Sequence, residues 1–462
     1  MSNESSPEPR LPAVRQSAQD YRAHGQAYLD KLPRFCGLSG VDRVGLSVEQ
    51  CAHLVARFAS IKKQCVFIAA ARMPGAREYE LKMALARWMW EDATHYQSLE
   101  IRLTELRSNK VAVDKVLDYQ LGDFLGEILH SPGSLELCVG LFEVLAPAFI
   151  GAIERYLAET QPLVDFPTVR LLKNILSEER ERTVIGKGFV AALRQQENGD
   201  QTAKAWRDHC YGFLVAAGGV SGFDPLPDGF LRPVPRASEA FRVSHEFARD
   251  DRFTVIIPKR VPKAVENDPL LTMMWVRREE LCVSETVAAI LYEWGDELPT
   301  EAIVDIARQC WDEARHALFG EVALEQAGFP LQALDGWVGF GMHALAESPQ
   351  KAFAHLSLAI EAGAMAHPGG KRGEWEYCRD VAKHPLMTTF QDFDWADEIS
   401  HVKYGRKWII EYHFKGNREA ARKLADDSVR DRVRFYEKYG FQDWMRERAP
   451  KGHPKGSLDH GY

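Results

Sequence analysis

Trp311-Asp-Glu-Ala-Arg-His316 and Trp395-Ala-Asp-Glu-Ile-Ser-His401 decide how this chain is read. Each contains Asp-Glu-x-x-His, as Asp312/Glu313/His316 and Asp397/Glu398/His401. On a helix, residues three apart lie about 60° from one another around the axis, so each Glu and His can grip one ion from a single face. The preceding Asp, four residues before its His, shares that face. It can accept a hydrogen bond from an imidazole on a facing helix and fix its tautomer. Burying so much acid without a cation costs several kcal/mol per group, by order of magnitude. A bound metal removes that cost.

Around these segments the apolar positions recur with helical period from about 263 to 446. Four long helices are expected. The first covers about 268–294 and stops at Gly295; the second covers 300–326, with Thr300 as N-cap and Gly328 just past its end. The third covers 349–366, ending at His367-Pro-Gly-Gly370, and the fourth about 390–414, ending before Gly416. Short connectors make neighbours antiparallel, as in a four-helix bundle.

A two-metal site in such a bundle needs one Glu from each of the two remaining helices. On the third helix the internal carboxylate is Glu361, in the apolar run Ala359-Ile-Glu-Ala-Gly-Ala-Met365. The small residues beside it could leave a pocket for O2 or substrate. The first helix offers Glu279, Glu280 and Glu285. Glu313 lies 13 residues after Thr300 and Glu285 lies 10 before Gly295, which puts them at similar depth; Glu280 would sit about 7 Å further along. Glu285 is therefore preferred, with Glu280 as the alternative. The expected metal ligands are Glu285, Glu313, His316, Glu361, Glu398 and His401, supported by Asp312 and Asp397.

With these residues the chain resembles the ferritin-like di-iron carboxylate superfamily, whose hallmark is Glu…Glu-x-x-His repeated twice. Asp312-Glu-Ala-Arg-His316 is similar to the Asp-Glu-x-Arg-His motif of its bacterial multicomponent monooxygenases. Glu280-Leu-Cys-Val-Ser-Glu285 and Asp397-Glu-Ile-Ser-His-Val-Lys-Tyr-Gly405 resemble an uncharacterised bacterial ferritin-like family. The resemblance covers about 263–415. It implies a carboxylate-bridged pair of iron ions, with manganese or mixed iron–manganese as variants, and O2 as co-substrate.

The first half reads as a decayed copy of the second. Trp90-Glu-Asp-Ala-Thr-His95 matches Trp311–His316, Glu178-Glu179 matches Asp397-Glu398, Glu143 matches Glu361, and Cys65 matches Cys282, at offsets of 217 to 221 residues. Arg182 stands where His401 would be, and Lys62-Lys-Gln-Cys-Val brings cations where the first-helix acid would be. Arg182, with Lys63, is expected to neutralise Asp92, Glu143 and Glu179 where metal once sat. A single-metal site on Asp92, His95, Glu143 and Glu179 is the alternative. The whole is then all-α: two tandem ferritin-like four-helix bundles, the N-terminal one degenerate at its metal site. Residues 1–45 form a tail and lead-in, 46–215 the degenerate bundle, 216–262 a linker with one short extended segment near 252–258, 263–446 the di-iron bundle and 447–462 a tail.

Composition narrows the function classes. With 45% hydrophobic and 27% charged residues and a net charge of −8, the chain has no general electrostatic case for nucleic acid. No run of about 18 apolar residues is evident, so no membrane span is expected. Eight scattered cysteines without a CxxC pair read as free thiols in a reducing, cytoplasmic setting. The function expected is a non-haem di-iron oxidase or oxygenase acting on a small organic substrate. Electrons would come from an external donor or the substrate, because no flavin or nicotinamide motif is visible. A ferroxidase or peroxide-detoxifying protein and a non-catalytic scaffold with a structural metal are the alternatives.

Overall fold

Helix Val48–Arg72 begins at a reciprocal cap, in which Ser47 Oγ accepts from the Gln50 amide and the Gln50 side chain accepts from the Ser47 amide. The chain then doubles back as Tyr79–Glu105. The computed structural model describes residues 31–107, 118–236, 239–244, 246–257, 260–367 and 369–439. The tail expected at 447–462 and residues 1–30 of the lead-in lie outside the described residues. Within them the chain is predominantly helical, and the only strands are Val255–Ile256 and Gly336–Trp337, paired in parallel.

The first half continues with Tyr119–Leu129, the run Ser134–Glu159, then Phe166–Leu193 and Gly199–Ala216. The helix Ser134–Glu159 is long and apolar enough to cross a membrane by length and composition, although 56% of its apolar window is buried inside the protein. Charged residues punctuate the run, while Ala, Leu, Ile, Val and Phe dominate between them.

The second half holds Pro269–Arg278 and Leu281–Trp294, Thr300–Gln326, a third helix over 349–366, and Pro385–Gly405 continuing through Arg406–His413. The second helix has the expected bounds, but Thr300 is its first residue, with Pro299 at the cap position. The first is interrupted at Glu279 and Glu280, whose ψ angles of −6° and −8° depart from helical values. The fourth starts at Pro385, where proline at the first turn suits a helix start. A further helix, Arg418–Glu437, follows Gly416, whose φ of +89° suits a residue without a Cβ.

Both halves carry a π-helical stretch at matching positions. One is Gly140–Leu145, which contains Glu143; the other is His355–Glu361, which ends on Glu361. Such stretches shift the helical face locally and are frequent at functional sites. One continuous apolar core runs from Cys51 to Tyr436, with the Val48–Arg72 and Tyr79–Glu105 pair packed against Leu281–Trp294 and Thr300–Gln326. The segment between the halves is anchored on both sides: Asp250 accepts from the Tyr79 amide and Arg249 pairs with Glu285.

Candidate metal centre

Glu313 and His316 project from Thr300–Gln326, Glu398 and His401 from Pro385–Gly405, and Glu361 from the third helix. All five side chains converge in the interior, with the two imidazole centroids 6.1 Å apart and both rings fully buried. His316 Nδ1 lies 3.2 Å from Glu280, 3.3 Å from Asp394 and 3.8 Å from Glu313. His401 Nδ1 lies 3.4 Å from Glu313, 3.5 Å from Glu361 and 3.7 Å from Glu398.

The second ring nitrogens are held crosswise. His316 Nε2 is 3.3 Å from Asp397, and His401 Nε2 is 3.3 Å from Asp312. Each Asp thus sets the imidazole of the opposite helix and leaves Nδ1 to face the cluster. Arg315 joins the two aspartates, reaching Asp397 at 2.7 Å and also pairing with Asp312; Arg308 adds a contact to Asp312 at 2.6 Å.

The first-helix expectation is corrected: Glu285 is not in the cluster, and Glu280 is. Depth along the axis favours Glu285, but azimuth decides. Five residues turn the helix by about 500°, leaving Glu285 roughly 140° away from Glu280. Glu285 faces the first half, where Arg249 grips it at 2.6 and 2.8 Å and Lys82 at 2.6 Å. Burial outweighs the Glu285 charge at Lys82 and brings its ammonium down to about 8.

Asp394, absent from the expected set, belongs to the cluster. It lies four residues before Glu398 and so shares its face, a spacing that could have revealed it. Gln309, four before Glu313, donates to Glu361 at 2.7 Å. Lys371 reaches Glu398 at 2.8 Å and Asp394 at 3.0 Å, and Arg277 pairs with Glu280 and, at 2.6 Å, with Glu374. Nothing in the local sequence signals Lys371, which follows the Gly369-Gly370 break and arrives through tertiary folding.

These residues form two overlapping groups. Glu280, His316, Asp394 and Glu398 can converge on one point, and Glu313, Glu398 and His401 on another, so Glu398 belongs to both. Glu313 also faces both rings, one carboxylate oxygen toward each. The test of fit is the unpaired atoms. Glu280 Oε2, His316 Nδ1, Glu361 Oε2, Glu398 Oε2 and His401 Nδ1 are all buried without a hydrogen-bond partner. Each imidazole nitrogen has carboxylate oxygens nearby, but none in hydrogen-bonding geometry. Buried polar atoms are rarely left so. Five of them on residues gathered around His316 and His401 fit a cation pair bound by oxygen and imidazole donors.

Burial opposes charge on both imidazoles, yet the carboxylates around them, Asp394 at His316 and Asp312 at His401 foremost, hold both well above the usual histidine range. Burial pushes the Glu361 carboxyl up to about 7. Burial has the same tendency at Glu280, but Arg277 and Lys371 overcome it and bring Glu280 down to about 2. A cavity of about 60 Å³ adjoins the cluster, lined by Glu280, Glu313, Glu361 and Glu398 and by apolar residues including Val283, Phe340 and Ala364. Ala364 belongs to the small-residue run beside Glu361.

In the first half, Asp92, His95 and Glu179 also come together. His95 contacts Glu178 at 2.7 Å, the counterpart of His316 with Asp397. Here cations fill the centre. Arg182 reaches Asp92 at 2.6 Å and Glu179 at 3.0 Å, and Lys62 reaches Asp92 at 2.8 Å and also pairs with Glu179. Two details differ from expectation. Lys62, not Lys63, supplies the second cation, because Lys63 turns over the Tyr96 ring. Glu143 stands outside the cluster, paired with Arg194 at 2.7 Å, so neither the neutralised set nor the alternative single-metal set includes it. Comparison with protein-family models, curated proteins and solved structures finds no match to this chain.

Proposed function

We propose that this chain is a non-haem di-iron oxidase or oxygenase that uses O2 to oxidise a small organic substrate. In this reading it consists of two tandem ferritin-like four-helix bundles, the first of which has exchanged its metals for Lys62 and Arg182. The observation that carries it is the set of five buried donor atoms without hydrogen-bond partners, from Glu280, His316, Glu361, Glu398 and His401, on residues gathered around the two imidazoles. Oxygen and imidazole donors without thiolate suit iron or manganese. Glu280, His316, Asp394 and Glu398 would hold one ion, and Glu313, Glu361, Glu398 and His401 the other.

A bound pair of iron ions would supply the redox chemistry toward O2, with electrons drawn from an external donor. The protein residues have separate tasks. Asp312 and Asp397 hold the two Nδ1 atoms toward the centre. Arg308 and Arg315 bridge those aspartates and hold them in place. The apolar wall of Val283, Phe340, Leu356, Ile360 and Ala364 keeps bulk water from the reacting volume.

Metal analysis combined with an O2 pulse onto the anaerobically reduced protein tests the reading. About two ions per chain and O2-dependent visible absorbance are expected in the wild type, with neither in Glu313→Ala. A fully loaded, reduced wild-type protein that leaves O2 unconsumed would overturn it.

The Lys371 ammonium favours a second reading, in which the Glu280–Asp394–Glu398 side keeps a permanent protein cation and only the His401 side takes a metal. Lys371→Met separates the two. A two-metal wild type supports the first reading; one ion in the wild type and two in Lys371→Met support the second.

A further inference from the structure

Five arginines of the described residues are buried over the whole residue, backbone included: Arg57, Arg182, Arg277, Arg278 and Arg432. Four of them hold an acid. Arg57 pairs with Asp118 at 2.9 Å, Arg182 with Asp92 at 2.6 Å, Arg277 with Glu374 at 2.6 Å and Arg278 with Glu279 at 2.6 Å. Arg432 is the exception. It is 8% exposed, and no carboxylate oxygen of the described residues lies within 4.0 Å of its guanidinium. A guanidinium stays charged, and burying one without a carboxylate is costly.

Its surroundings hold it in place without neutralising it. The guanidinium carbon sits 5.6 Å from the Phe340 ring centroid and 5.7 Å from that of Tyr436. One terminal nitrogen lies 3.4 Å from Nε2 of His355, whose Nδ1 meets Ser428 Oγ at 2.8 Å. The nearby acid Glu347 is engaged elsewhere, by Lys351 at 2.7 Å and by Ser428. Burial keeps His355 far below the usual histidine range and brings His343 down to about 3, so neither ring adds charge at neutral pH.

Arg432 also lines the cavity that borders Glu280, Glu313, Glu361 and Glu398. Lys371 is the other cation of that cavity, and it is occupied by Asp394 and Glu398. We infer that Arg432 is the substrate anchor of the centre and that the substrate is a small carboxylic acid, its carboxylate taken by the guanidinium and its carbon end turned toward the metal-facing carboxylates. This rests on the reading of the cluster as a reaction centre. A planar guanidinium binds a carboxylate through two parallel hydrogen bonds, which sets direction as well as affinity. The cavity of about 60 Å³ limits the guest. At a floor of about 10–15 Å³ for a water-sized group, it admits roughly four to six heavy atoms.

The test titrates propionate and its neutral isostere propionamide into the full-length chain, both anaerobically loaded with ferrous iron and metal-free. Wild type, Arg432→Gln and Arg432→Lys are compared, with metal content measured on every sample. The wild type is expected to prefer the acid by roughly tenfold or more, from the strength of hydrogen bonds to charged groups. Arg432→Gln should lose that preference with its metal content unchanged, and Arg432→Lys should keep part of it. Equal affinity for acid and amide in the wild type, or an undiminished preference in Arg432→Gln, overturns the anchor. Should Arg432→Gln fail to fold, the wild-type comparison and Arg432→Lys decide the matter. A wild type that takes up no metal sinks the metal-centre reading alone, because the metal-free titration still reports whether Arg432 selects the acid.

Discussion

Asp397 accepts a hydrogen bond from Nε2 of His316 across 3.3 Å, joining the two Asp-Glu-x-x-His helices, and Asp312 does the same for His401. Neither segment is complete without the other. Partners of this kind raise the basicity of the ligating nitrogen, and losing one typically costs about 10- to 100-fold in metal affinity. Asp397→Asn should therefore weaken binding by about that factor, read by competition with a chelator. Asp312→Asn should do the same, and the double variant should lose more than either. Unchanged affinity in both single variants would show that the crossed pairs only pack the helices.

Metal binding should release protons at neutral pH. In the metal-free chain His316 and His401 are held protonated well above their usual range, and Glu361 rises to about 7. Ligands must be deprotonated, so loading near pH 7 should expel about two protons or more, seen as a dependence of calorimetric heat on buffer ionisation enthalpy. The sign for stability follows. The two raised imidazoles stabilise the metal-free fold fully below about pH 6.5 and lose that contribution as pH rises through their folded values. Glu361 acts in the same direction between about 4.5 and 7. Metal-free protein should lose melting temperature on going from pH 6 to pH 9, while metal affinity climbs.

Glu285 should matter for stability and not for metal. It is fully buried between Arg249 of the connecting segment and Lys82 of the first half. Glu285→Ala leaves two buried cations without their acid, a change that costs about 3–5 kcal/mol in comparable cases. Denaturant titration should show that loss, whereas the folded fraction should carry the wild-type metal content. A metal deficit in folded Glu285→Ala would return this residue to the ligand set.

Arg182→Met should unfold the first half more readily without changing the number of metals per chain. Asp92 is held far below the usual carboxylate range: burial alone would raise it, but Arg182 and Lys62 dominate. With Arg182 gone, Lys62 alone must balance Asp92 and Glu179. Thermal melts should fall markedly. An additional bound metal in this variant would mean that the first half is still able to take an ion once one cation is removed.

Much of the centre could be read along the chain because its grammar is local. Glu-x-x-His with Asp one residue ahead encodes a helical face, and a helical face is a property of spacing alone. The second helix, Thr300–Gln326, is bounded by a proline–threonine start and a glycine at 328, both visible as letters. Glu280 was harder. Its choice over Glu285 depends on which way a helix is rotated against its neighbours, and Arg249 and Lys82 set that rotation from far away in the chain. Asp394 had the right spacing but no His beside it to draw attention.

From residue order alone came the helical class and the two paired Glu-x-x-His faces with their aspartates, since each of these is carried by periodicity or by a repeated string. Tertiary packing alone decided the rest: Glu280 as the first-helix acid, Lys371 and Arg277 beside it, Lys62 in place of Lys63, and an arginine at 432 with no carboxylate of the described residues in ion-pair reach. The division has a simple physical origin. Backbone geometry fixes which side chains share a face over a few residues, but which faces meet, and which charges are left unmatched when they do, is settled by contacts between segments hundreds of residues apart.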